Sequence, residues 1–154
     1  MLNWRFNKEQ PTAASILSCY TSNGAATSNG NWMSVCYIDA KVKKTNPIFH
    51  LSISGTTFAV HGAYPEVRVV RGNTVNNLNV VVSGPYEVNN TGGSKYYGDS
   101  GTGFCSVENI VNASLNQGSS QVFQLQLKGG GAKMGQGCAV HNCASLRVME
   151  LESS

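Results

Sequence analysis

The chain has 154 residues and a net charge of +3, and only 12% of its residues are charged, about half the ~25% of ordinary globular chains. Neutral polar residues stand in for charge, with 17 Gly, 16 Asn and 17 Ser. This balance argues against long solvated helices, and a hydrophobic share of 41% excludes wholesale disorder. So small a positive charge leaves no footprint for nucleic acid.

The first 31 residues read as an N-terminal arm or an added strand, too short to hold a core of their own. Trp4 and Phe6 sit among polar residues. Residues 12–20 (TAASILSCY) fit a helical turn or a strand, and 21–31 (TSNGAATSNGN) are turn-rich. Lys8, Glu9 and Gln10 occupy the place of the apolar stretch of a signal peptide. The expectation is a protein made in the cytoplasm without export. No apolar run reaches the ~18 residues of a membrane span.

Strand signals then recur at short intervals across residues 32–154, the expected sandwich domain. Residues 33–41 (MSVCYIDAK) follow a turn-like NGNW, with Trp32, Cys36, Ile38 and Ala40 on one parity. In 47–53 (PIFHLSI), Phe49, Leu51 and Ile53 share a face. Residues 56–60 (TTFAV) follow Gly55, 66–71 (EVRVVR) follow Pro65, and 78–83 (LNVVVS) end at Gly84-Pro85. These β-branched runs bounded by Gly, Pro and Asn read as strands. Lys41, Lys43 and Lys44 mark a solvated strand end.

Residues 86–103 read as a long polar connection with room for one short strand. Residues 104–115 (FCSVENIVNASL) are ambiguous, since Val107, Ile110, Val111 and Leu115 also suit a short helix. The clearest alternation is 120–128 (SQVFQLQLK), with Phe123, Leu125 and Leu127 opposed to Gln124, Gln126 and Lys128. A Gly-rich stretch follows, and 144–151 (ASLRVMEL) closes the chain with Leu146 and Val148 opposed to Arg147, Met149 and Leu151. About eight to ten short strands so spaced predict an all-β, jelly-roll-like β-sandwich with an extended N-terminal arm.

Residues 104–152 carry an apolar strand, a polar Asn116-Gln117-Gly118 turn, the alternating VFQLQLK, a Gly-rich loop and a last strand ASLRVMELE. This pattern resembles the last strands of tumour-necrosis-factor and C1q-like jelly rolls. Domains of this shape also occur as knobs, spikes and decoration proteins on bacteriophage virions. The resemblance implies a non-enzymatic protein on the virion exterior: a homotrimer serving as capsid decoration or cement, or as a short spike or fibre knob. Its partner would be a major capsid protein or another virion protein. Trp4, Phe6, Ile16 and Leu17 would dock on the particle. Phe123, Leu125, Leu127, Leu146 and Val148 would form threefold contacts. The rival expectation is a glycan- or receptor-binding module, with Tyr96 and Tyr97 of the long connection as the contact surface.

Reactive residues give no constellation. Cys138, His141 and Cys143 have the spacing of half a zinc site. Cys19, Cys36, Cys105, His50 and His61 offer no matching second half, so no metal or cofactor is expected. Five cysteines leave at least one unpaired, and most read as small buried hydrophobes. Asp99 in YGDSGTG reads as a turn residue, and the glycines at 129–131 lack the phosphate-loop pattern.

Overall fold

The alternating runs fold as strands, and the computed structural model describes residues 16–21, 26–28, 31–60, 64–87, 90–91, 101–130 and 138–151. Ten strands and no helix occur among the described residues. They are β1 (Ile16–Thr21), β2 (Ala26–Ser28), β3 (Met33–Lys41), β4 (Ile48–Val60), β5 (Tyr64–Thr74), β6 (Asn77–Glu87), β7 (Asn90–Thr91), β8 (Gly101–Asn112), β9 (Ser120–Gly130) and β10 (Cys138–Leu151).

Two antiparallel sheets stack as a sandwich. Sheet A runs β1-β10-β4-β8-β7, with β2 also on β10; sheet B runs β3-β9-β5-β6. With the short β2 and β7 set aside, the pairs nest: β1 with β10, β3 with β9, β4 with β8, β5 with β6. This is a hairpin rolled up on itself, the jelly-roll arrangement expected from the sequence.

The core lies between the sheets because alternate side chains of each strand point inward. Phe49, Leu51 and Ile53 of β4, Phe123, Leu125 and Leu127 of β9, and Leu146 and Val148 of β10 are all 3% exposed or less. Phe49 meets Phe123 edge to face across the sheets, with ring centroids 5.0 Å apart. This corrects the expectation that Phe123, Leu125, Leu127, Leu146 and Val148 form threefold contacts. Their side chains are consumed by the chain's own core and present no surface to a second copy.

Of the two readings of the first 31 residues, an arm or an added strand, the described part is a strand. Ile16–Thr21 pairs with Thr21↔Ala144 through Ile16↔Met149, so residues 16–21 are an edge strand of sheet A. The strand reading of 12–20 holds over this part.

Several strands run further than their punctuation suggests. Gly55 does not interrupt β4; it sits in register between Ala144 and Cys105. β6 continues past Ser83 through the cis Gly84-Pro85 bond. Gly84 permits this with a φ of 90°, and a Cβ there would stand 2.8 Å from the Val67 carbonyl oxygen. Residues 104–112 are strand, and Ile110 faces outward, so the helix-like spacing in that run is coincidental.

A bulge between Ser34 and Cys36 breaks the parity of β3. Cys36, Ile38 and Ala40 pack on the core with Met33 and Val35, and Trp32 turns to the outer face of sheet B instead of sharing a face with Cys36. Cys36 is bonded to Cys19 of β1 in a disulfide that joins the two sheets at one edge. Two of the five cysteines are therefore a staple; Cys105 is the buried free thiol among the described residues.

Candidate functional site

Polar side chains that fall on the core side are paired. Asn109 of β8 donates to Ser83 Oγ and Tyr86 Oη of sheet B, both at 3.5 Å, and Ser83 and Tyr86 bond each other at 2.9 Å. Gln121, 1% exposed, accepts from Arg71 Nη1 at 3.1 Å and donates to Asn73 Oδ1 at 3.0 Å. Burial lowers the Arg71 pKa, and its buried Nε has no hydrogen-bond partner.

At the β1/β3 edge a groove of about 270 Å³ opens over Leu17, Ala40, Phe49 and Val148, rimmed by Asp39, Lys41, Lys43 and Glu150. The Glu150 carboxylate is engaged there with backbone N–H groups of the β3–β4 connection. Of the residues expected to dock on a particle, Leu17 borders this groove and Ile16 lies beside it in β1. Trp4 and Phe6 lie outside the described residues, as do Tyr96, Tyr97, Asp99 and His61.

The outer face of sheet A carries an apolar band. Ile110, His50 and Met149 stand in one cross-strand row, and Ile48 pairs with Leu151 in the next. Ile110 is 63% exposed, unusual for an isoleucine in a strand. Along one side of the band runs a polar row, Glu108, Ser52, Arg147 and Ser18, in register. His50 Nε2 stands 3.9 Å from Glu108 Oε2. Sequence alternation could have located this face, because Met149 and Leu151 oppose Leu146 and Val148 in the last strand.

The outer face of sheet B is built differently. Val70, Val122 and Gln124 lie on the outward parity of their strands yet are nearly inaccessible. Arg68 Nε donates to Gln126 Oε1 at 2.8 Å, and Gln126 Nε2 donates to Gln124 Oε1 at 2.7 Å. The Arg68 guanidinium stacks on the Trp32 ring, 4.1 Å from its centroid. Lys128, paired with Glu66 at 2.9 Å, lies 5.2 Å from the same ring. Tyr37, half exposed, pairs in register with Gln124. Sequence alternation sets Gln124, Gln126 and Lys128 opposite the core but does not show their meeting with Arg68 and Trp32, because the bulge before Cys36 hides the position of Trp32.

The side chains of Cys138, His141 and Cys143 lie outside the described ones. Cys138, His141 and Cys143 lie in β10, where the register shifts between His141 and Ala144. Among the described residues no three His, Cys, Asp or Glu side chains stand together as metal ligands. The Cys105 thiol pKa is raised by burial.

No protein-family model matches the chain, and no curated protein matches it. Among solved structures, the enzymatically active domain of bacteriophage CBA120 tailspike protein 4 is 11% identical over 89% of this chain and 19% of that one, with a TM-score of 0.34. The infectious bursal disease virus Gx strain structure gives 9% identity, 88% and 39% coverage and a TM-score of 0.32. The VP2 subviral particle of that virus gives 11%, 90% and 42%, and 0.31. The chain spans less than half the length of each. The functional reading rests on this chain's own residues.

Proposed function

We propose that this chain is a non-enzymatic structural protein of a virus particle, acting as a homotrimer on the particle exterior. It would serve as a capsid decoration or cement protein, or as a short spike or fibre knob. The observation that carries the reading is the apolar band on the outer face of sheet A. Ile110 is exposed, with Ile48, Met149 and Leu151 half-buried on the same face, an aliphatic surface that contact with another protein would remove from water. Glu108 on β8 and Arg147 on β10 stand on opposite sides of Ser52 in one row. A rotation that repeats the contact head to tail brings Arg147 of one copy to Glu108 of the next, and a threefold closes such contacts. The virion assignment draws on the C-terminal strand pattern described above, and in it Trp4 and Phe6 contact the particle.

Native mass spectrometry of the purified chain tests the assembly. A trimer is expected for the parent protein, and for Ile110→Asp a monomer that keeps the parent's β-sheet circular dichroism spectrum at a lower melting temperature. A parent protein that stays monomeric at high concentration would overturn the reading. Mixing the trimer with particles, with and without residues 1–15, tests the particle contact.

A further inference from the structure

We propose that the outer face of sheet B is a binding platform for a saccharide bearing an oxyanion, in which Arg68 reads the charge and Tyr37 supports a sugar ring. Arg68 is a cation held in one orientation before any ligand arrives. Its plane is fixed by stacking on Trp32, and its Nε is held by Gln126, which is in turn held by Gln124. Ordering a long side chain normally costs much of what a charged contact returns, and here that ordering is already done. Lys128 is neutralised by Glu66, whereas Arg68 has no carboxylate partner among the described residues. With Nε spent on Gln126, Nη1 and Nη2 form the planar edge that can bind carboxylate or sulfate through two parallel hydrogen bonds.

The rest of the face suits a sugar better than a peptide. β9 and β5 are central strands whose backbone groups are spent on their neighbours, so a peptide cannot add there as another strand. What is offered is the half-buried Gln126 amide, propped from beneath by the buried Gln124, and beside it the half-exposed Tyr37 ring. Amide donors and acceptors match hydroxyl groups, and an aromatic face matches the C–H face of a pyranose. Tyr37 on β3 and Arg68 on β5 flank β9, two strand spacings across and two residues along, roughly 12 Å apart, the reach of a short oligosaccharide. This face lies on the opposite side of the sandwich from the proposed assembly face, so the inference stands or falls independently of the trimer.

Calorimetric titration tests it, with a uronate oligosaccharide, a sulfated oligosaccharide, a neutral oligosaccharide of equal length and poly-glutamate as probes. The parent protein is expected to bind one of the two acidic sugars and neither the neutral sugar nor the peptide. Arg68→Lys keeps the charge but loses the fork and the planar stack, and should weaken binding at least about tenfold. Tyr37→Ala should weaken it about fivefold with the melting temperature unchanged. Gln126→Leu, which frees the Arg68 Nε, provides a second reading of the same contact should Arg68→Lys unfold. The proposal is overturned if neither acidic sugar binds, if the Arg68 and Gln126 variants bind like the parent, or if poly-glutamate binds as tightly as the sugar.

Discussion

Glu150 reaches across the end of the sandwich to accept hydrogen bonds from the backbone N–H groups of Lys43 and Lys44, each at 2.9 Å. One carboxylate on the last strand of sheet A thereby satisfies two donors of the loop that leaves sheet B. The same loop bonds the β8–β9 connection through Val42, Asn46 and Pro47, so three crossings of the chain are tied at one end.

Glu150→Ala should therefore destabilise the fold by about 1–2 kcal/mol, the lower part of the range for hydrogen bonds to a charged group because the loop is partly exposed. Urea denaturation measures it. Glu150→Gln keeps an acceptor and should recover about half. An alanine variant with the parent midpoint would show that the loop needs no such tie.

The Cys19–Cys36 disulfide spans 17 residues of sequence, for which chain entropy gives about 3 kcal/mol. The Cys19→Ser, Cys36→Ser double variant should lose that much, and the amides of β1 should exchange faster with solvent than those of β9. If β1 exchanges at the parent rate without the bond, its pairing with β10 alone holds the edge.

Phe123 is 0% exposed and packs on Phe49. Phe123→Ala should lower stability by about 3–5 kcal/mol. The loss should be the same at low and high protein concentration, because the side chain works inside one chain. A loss that vanishes on dilution would return Phe123 to an intersubunit role.

Burial raises the Cys105 thiol pKa above its ordinary 9.0. The unfolded chain then releases this proton at lower pH than the folded one. The contribution is intact below about pH 9 and falls away as pH rises above it. Cys105→Ala should flatten the alkaline decline of stability relative to the parent. Parallel declines in the two proteins, followed by urea midpoints between pH 8 and 10, would remove Cys105 as its source.

Much of the fold was legible where a strand obeys a two-residue period. In β9, Phe123, Leu125 and Leu127 face the core as their alternation requires, and β4 does the same with Phe49, Leu51 and Ile53. Legibility failed where one residue shifts the period. The bulge before Cys36 sent Trp32 to the other side of its sheet. In β8 an outward Ile110 imitated the spacing of a helix, because outward faces here are apolar as well as polar. The Cys19–Cys36 bond joins edge strands of different sheets, a proximity that exists only after the roll closes. The candidate surfaces were the least legible part. Arg68 looks like any polar position in EVRVVR until Trp32 and Gln126 are placed around it.

The position of β10 has a consequence for biosynthesis. It is the last strand in chain order yet lies inside sheet A, between β1 and β4. Until it leaves the ribosome, β1 has no neighbour in its sheet and β4 carries an open edge, so the roll cannot shut progressively from its N-terminal side. Closure of sheet A is held back until β10 has been translated. Chains terminated before β10 display that open edge, which exposes them to chaperones and proteases.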